Sequence, residues 1–237
     1  MRQLITILIL FCPLKIFGLD YQVDTIDFHS NILNENRRIY FYNSVDLNQT
    51  DSVIFVYLLD GEYADFRYKK IQNDFPDKQI IGIGIVNTSR NRDMLPVNQP
   101  DKFLDFIDKE LIPTIENDYK VKKRILFGHS FAGGFVINSM IQSPGLFDQY
   151  IASSPSPIMD FIDPNIYEQL DKKLSTDIDF YFSYGSKDMK QVRKWAFRLN
   201  ENLTNIKLHR IDWKNEIYDG KNHNNCDLIS LINGLKY

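Results

Sequence analysis

Residues 124–134 read Arg124-Ile125-Leu126-Phe127-Gly128-His129-Ser130-Phe131-Ala132-Gly133-Gly134. A short apolar strand runs straight into a cluster of small residues around one serine. Apolar residues at helical spacing, Phe135, Met140 and Ile141, follow at once. A serine on a sharp strand-to-helix turn is a nucleophile elbow, which lifts the hydroxyl above a sheet. Small flanking residues are required because the strained backbone brings neighbouring chains close. The next backbone N–H, that of Phe131, is then aimed where an oxyanion would develop, and the helix N-terminus adds partial positive charge. The usual pattern has glycine two residues after the serine; here Ala132 stands there, a mild departure. The competing reading is a chance glycine-rich turn.

Outward from this turn, strand and helix patterns alternate. Val53–Leu59 and Ile80–Val86 are apolar nearly throughout, as in strands buried on both faces. Further strands are expected at Arg124–Phe127, Tyr150–Ala152, Ile178–Tyr184 and Ile206–Ile211, with a hairpin over 24–42 turning at Asn34-Glu35-Asn36. Helical spacing relates Phe103, Phe106, Ile107 and Leu111, then Val192, Trp195, Phe197 and Leu203, and finally Leu228 to Leu235. The alternation predicts an α/β fold, a mainly parallel sheet with helices on both faces, as one domain over 19–237.

The chain has 237 residues, 43% of them hydrophobic and 25% charged, which excludes disorder and low complexity. A net charge of -3 argues against nucleic acid as a partner. Arg2 precedes the short apolar run Leu4–Phe11, and Gly18 stands before Leu19-Asp20, the layout of a secretory signal peptide over 1–18. A secreted or periplasmic protein without stable membrane insertion is the expectation; an uncleaved anchor or a first strand is the alternative. Cys12 lacks the small preceding residues of a lipidation site. Beyond the leader only Cys226 remains, so an internal disulfide is excluded. No cofactor is expected, since no His/Cys/Asp cluster shows metal spacing. Asn48, Asn87 and Asn202 begin Asn-x-Ser/Thr sequences, which matter only in a eukaryotic secretory pathway.

A serine nucleophile needs a base, and the base an orienting acid. Of the four histidines, His223 sits in the loop Asp219–Asn225 before the last helix, where the chain order serine, acid, histidine requires it. His129 lies inside the elbow, His29 in the hairpin, and His209 in the expected sixth strand. The acid belongs between residues 130 and 223, just past a strand. Asp188, after Tyr184-Gly185-Ser186-Lys187, is the choice, with Asp212 and Asp219 as fallbacks and Asp163 and Asp160 behind them. A capping box with Gln191 is the competing role for Asp188. A second oxyanion donor is expected from the loop Leu58-Leu59-Asp60-Gly61-Glu62, at the N–H of Glu62, against the alternative of a plain Asp-Gly turn.

Leu58–Glu62, Gly82-Ile83-Gly84-Ile85 with Arg90-Asn91-Arg92-Asp93-Met94-Leu95-Pro96, Phe106–Pro113 and Gly128-His129-Ser130 together resemble an esterase family of α/β hydrolases. It includes enterochelin-type siderophore esterases, S-formylglutathione hydrolase and mycolyltransferases, and the resemblance is nearest to the siderophore branch. It covers residues 25–237 and implies the α/β-hydrolase fold. It makes Ser130 the nucleophile, His223 the base, Phe131 and Glu62 the oxyanion donors, and puts Asp60 and Arg90 at the substrate; in some siderophore-type members the acid, here Asp188, is weak or absent. The implied function is hydrolysis of a small-molecule carboxylic ester through an acyl-enzyme. Acyl transfer and a non-catalytic binding module on the same scaffold are the alternatives. Arg90 and Arg92 are candidates to hold an anionic or catecholate substrate, or else to form a salt-bridged loop. Tyr167 and Trp213 are candidates to stack on an aromatic one, and the Ser154-Pro155-Ser156 turn to line the pocket.

Overall fold

The computed structural model describes residues 21–44, 52–95, 100–156 and 163–237. The predicted leader, Cys12, Asn48 and Asp160 lie outside these residues. Eight strands form one sheet: β1 (Tyr21–Ser30), β2 (Glu35–Ser44), β3 (Ser52–Leu59), β4 (Ile80–Ile85), β5 (Lys120–His129), β6 (Gln149–Ser153), β7 (Ile178–Gly185) and β8 (Ile211–Tyr218). Their order is β1-β2-β4-β3-β5-β6-β7-β8. The β1–β2 hairpin joins antiparallel at one edge, and every pair from β4 to β8 is parallel.

The continuous apolar runs are explained by two cores, one on each face of the sheet. Val56 and Leu58 of β3, with Ile125, Phe127 and Ile151, pack under α1 (Ala64–Asp74) and α8 (Asp227–Lys236). Phe55, Tyr57 and Leu59, alternating with them along the same strand, point to the other face. There they meet the remaining helices: α2 (Arg90–Met94), α3 (Pro100–Phe106), α4 (Ile112–Ile115), α5 (Phe131–Gln142), α6 (Pro164–Lys173) and α7 (Lys190–Thr204). Each fully buried Leu, Ile or Phe here contributes about 1.5–3 kcal/mol.

Several expected elements shift, each for an identifiable reason. The sixth parallel strand is Ile211–Tyr218, not Ile206–Ile211. The Asp171 carboxylate accepts the backbone N–H groups of His209, Arg210 and Ile211, so those amides are held by a side chain before the strand begins. His209 is accordingly a loop residue. The hairpin turns at Asn31–Asn34, three residues early, because Glu110 accepts the N–H groups of Asn31 and Ile32 and Asn34 takes φ 53°. The helix expected through Phe103–Leu111 is interrupted by a π-turn at Ile107–Leu111 that leads into α4. Pro113, without an N–H for the Lys109 carbonyl, cannot continue a regular α-helical ladder. Phe197 is exposed; α7 buries Val192, Trp195, Ala196, Leu199 and Leu203 instead. Helices α1 and α6 carry too few apolar residues for the periodicity to single them out. The buried stripe of α1 even contains an arginine, Arg67, beside Ala64, Tyr68 and Ile71.

Every parallel strand ends on the same side of the sheet, where its following loop emerges. Two of these loops meet without clearance. A Cβ at Gly185, the last residue of β7, would lie 2.1 Å from the Lys221 carbonyl oxygen, and Lys187 N–H donates to that same oxygen. Gly185→Ala is therefore expected to destabilise the protein by about 1–3 kcal/mol in urea unfolding; an unchanged midpoint would show that the 219–222 loop yields freely.

Candidate active site

Ser130 sits between β5 and α5 with φ 62° and ψ -120°. This conformation is costly for a residue with a side chain, on the order of 1–3 kcal/mol, and persists only when its surroundings enforce it. The enforcement is visible. Ser130 N–H donates to the Ser153 carbonyl, and its own carbonyl accepts from Gly134 N–H and Ser156 N–H. A Cβ at Gly128 would stand 2.3 Å from the Ala132 carbonyl oxygen and 2.9 Å from the Ala132 Cβ. Ala132 is tolerated in place of glycine because position 128 has no side chain to oppose it. Phe131 is the first residue of α5, so its N–H has no acceptor within the helix.

The elbow hydroxyl heads a hydrogen-bonded chain. Ser130 Oγ lies 2.9 Å from His223 Nε2, and His223 Nδ1 lies 2.8 Å from Asp188 Oδ1. A carboxylate only accepts, so the neutral imidazole carries its proton on Nδ1 and presents the Nε2 lone pair to the serine. His223 opens a single 3-10 turn, His223–Asn225, fixed by reciprocal bonds of Asn222 and Asn225 and by the Cys226 thiol on the Asn222 carbonyl. Burial pushes that thiol up to about 11, so Cys226 stays protonated and serves the turn as a donor.

Asp188 is not the cap of α7; that position belongs to Met189. Its carboxylate instead takes His223 Nδ1 and Met189 N–H on Oδ1, and Ser154 Oγ on Oδ2 at 2.5 Å. Burial opposes its charge, but the hydrogen bonds from His223, Ser154 and Met189 outweigh burial and hold the carboxyl below its ordinary value. The other acids are occupied elsewhere. Asp163 caps α6 and Asp219 accepts from Ser186 Oγ, while Asp212 lies within β8. His29 bonds Asn36 in the hairpin. His129 bonds Ser153 Oγ and packs 4.8 Å from the His223 ring; burial pushes it down to about 4, so it is uncharged at neutral pH.

The chain opens on a cleft of about 890 Å³ lined by Asp60, Glu62, Tyr63, Arg67, Arg90, His129, Ser130 and His223 among others. Glu62 lies in the 3-10 turn Gly61–Tyr63, whose first bond is Tyr63 N–H to the Asp60 carbonyl, so the turn itself leaves the Glu62 N–H without an acceptor. Asp60 and Arg90 both reach the cleft but engage each other, at 2.6 Å and 2.8 Å, two bonds in parallel. Arg92 turns away to Glu35 and Asp93. The Asn87 amide is committed to Asp60 and Glu62, so its side chain is a cleft contact rather than a free glycan acceptor. Tyr167 and Trp213 do not line the cleft: Tyr167 is fully buried against Phe180, and Trp213 stacks on Phe182. Of the serine turn, Ser156 Oγ comes within 3.4 Å of Ser130 Oγ.

A family profile described as "Putative esterase" matches residues 30–220. The chain belongs to this esterase family. Ferri-bacillibactin esterase BesA of Bacillus subtilis (strain 168) is 45% identical to this chain over 56 residues, 23% of this chain and 19% of the relative. The aligned stretch thus spans about a fifth of that relative's length. The BES protein from Bacillus cereus superposes with a TM-score of 0.81 at 19% identity, covering 94% of this chain and 96% of its own. An IroE-like serine hydrolase from Shewanella oneidensis gives 0.78 at 22% identity, covering 91% and 79%. At these identities the structures establish the α/β-hydrolase fold.

The sequence places Ser154 in a turn expected to line the pocket but gives no sign of its bond to Asp188, and it does not single out Arg67. That bond depends on β6 pairing beside β7, which brings Ser154 to Asp188 across 34 residues. Removing its hydroxyl leaves one carboxylate oxygen short of a donor. Ser154→Ala should cost about 1.5–3 kcal/mol at neutral pH. The folded carboxyl titrates below its unfolded value, so its contribution is complete above pH ~4 and is lost as pH falls further. The wild-type advantage in urea unfolding is expected to shrink below that pH; a constant difference down to pH ~2 would deny the link to the Asp188 charge.

Proposed function

We propose that the protein is a serine esterase that cleaves carboxylic esters through an acyl-enzyme on Ser130. The observation that carries this reading is the Ser130–His223–Asp188 hydrogen-bonded chain opening on the cleft, with bonds of 2.9 and 2.8 Å. His223 Nε2 takes the hydroxyl proton as Ser130 Oγ bonds to the ester carbonyl carbon. The carbonyl oxygen becomes an oxyanion, received by the N–H groups of Phe131 and Glu62 at the start of their turns. The tetrahedral adduct collapses, the C–O bond to the alcohol breaks, and His223 returns the proton to the leaving oxygen. Water then repeats the sequence on the acyl-enzyme, giving the acid and free Ser130. Asp188 holds the imidazole in the required tautomer and stabilises its charged form. The predicted leader and the relative's name support a secreted or periplasmic enzyme acting on a siderophore-type ester.

The charges of the cleft narrow the substrate further. Arg90 is matched by Asp60 and Arg67 by Asp227, each through two bonds, and Glu62 adds a further carboxylate. No guanidinium lining the cleft among the described residues is left unmatched for an anionic acyl group. The aromatic rings of Tyr63 and Phe66 stand exposed beside it. An ester uncharged near its scissile bond fits this surface.

A fluorophosphonate probe should label the wild type and fail on Ser130→Ala and His223→Ala, with kcat for a p-nitrophenyl ester falling about 10⁴-fold or more in each. A folded wild type that takes no label would overturn the esterase reading. Between p-nitrophenyl butyrate and the p-nitrophenyl monoester of succinate, kcat/KM should favour the neutral ester by about tenfold or more, worth ~1.4 kcal/mol. Equal or reversed preference would mean that Arg90 is released to the substrate.

A further inference from the structure

Arg67 is a fully buried cation beside the cleft. It lies in the buried stripe of α1, its side chain is 1% exposed, and it interrupts a pattern that otherwise reads Ala64, Tyr68, Ile71. A buried guanidinium is retained only where its donors are met. Here they are met from both ends of the chain. Nη1 donates to the Leu59 carbonyl at 2.6 Å and the Asp60 carbonyl at 3.3 Å. Nε and Nη2 donate to the two oxygens of Asp227 at 3.0 and 2.6 Å, across 160 residues. The same group stands 5.1 Å from the ring of Phe127, three residues before Ser130, and 5.7 and 5.8 Å from Tyr63 and Phe66 at the cleft.

These partners belong to the three segments that must agree for the site to work. Leu59 and Asp60 lead into the turn bearing the Glu62 N–H, Phe127 leads into Ser130, and Asp227 opens α8 just past the turn His223–Asn225. We propose that Arg67 is a positioning residue that sets the oxyanion loop and the His223 turn at fixed separation across Ser130. The planar fork is suited to bridging them. Its donors diverge in one plane, two toward a carboxylate and one toward backbone carbonyls, whereas an ammonium is a point charge without that geometry. The kinetic half of this inference rests on the esterase reading; the geometric half does not.

The test pairs Arg67→Lys, which keeps the charge and loses the fork, with Asp227→Asn, which keeps the backbone bonds and weakens the link to the His223 turn. Two readouts are followed in folded protein: the downfield proton resonance of His223 Nδ1–H on Asp188, and kcat for a p-nitrophenyl ester normalised to fluorophosphonate-titrated sites. Both variants are expected to shift or broaden the resonance and to lower kcat by about 10- to 100-fold with KM within about threefold. An inert wild type whose His223 resonance still moves in both variants would sink the esterase reading and leave the positioning role standing. An unmoved resonance with wild-type kcat per site would overturn the positioning role and leave the esterase reading intact. Failure of both variants to fold would assign the pair to stability alone and equally overturn it.

Discussion

Ser130 cannot hold its backbone at φ 62° by itself. The conformation is imposed by β5 ending against β6, by the Ser153 carbonyl on the Ser130 N–H, and by the absence of a side chain at Gly128 where Ala132 closes over it. From that one constraint the rest of the site follows. The turn aims the hydroxyl out of the sheet, starts α5 with a free N–H at Phe131, and uses the Ser130 carbonyl to anchor the Ser156 N–H. A relaxed turn would lose all three together. The strain is thus supported by packing that the strands already require, and its cost falls on the sheet as a whole.

The acid and the base are brought to the serine by a second close approach. β7 ends in Gly185, against which the 219–222 loop lies so tightly that any side chain would strike the Lys221 carbonyl. Two backbone bonds, Ser186 N–H to Tyr218 and Lys187 N–H to Lys221, then join the loops carrying Asp188 and His223. Ser154 completes the arrangement from β6. Asp188 thereby has three donors and remains charged despite burial, which is the condition for orienting an imidazole. The neighbouring His129 is kept neutral by its burial, so two adjacent imidazoles do not compete for charge beside the serine.

Electrostatic matching governs what surrounds this chain. The arginines at the cleft are each faced by a carboxylate in two-point contact, Arg90 by Asp60 and Arg67 by Asp227. Pairing of this kind trades freedom for order: it fixes loop positions and removes free charge from the site. Arg92 and Arg37 do the same farther out, sharing Glu35 and Asp93 so that the segment bearing Arg90 is held to the β1–β2 hairpin.

Local pattern was enough for much of this. The run Arg124–Gly134 is legible because its signals are adjacent in the chain: a β-rich apolar stretch, small residues, one serine, a helical period. The buried strands announce themselves by continuous hydrophobicity, and the chain order singles out His223 and Asp188 as candidates. What is decided by side chains reaching across the fold was not legible. The Asp171 carboxylate delays β8, and Glu110 moves the hairpin turn. Ser154 meets Asp188 through strand order alone. Arg67 looks like a surface residue of a weakly patterned segment until Asp227, 160 positions away, is brought beside it. Sequence by itself determined the alternation of strand and helix and the serine turn, because those follow from neighbours within a few residues. Only the tertiary structure decided which acids and cations are free and which are matched, because partners for charge are chosen by proximity in space.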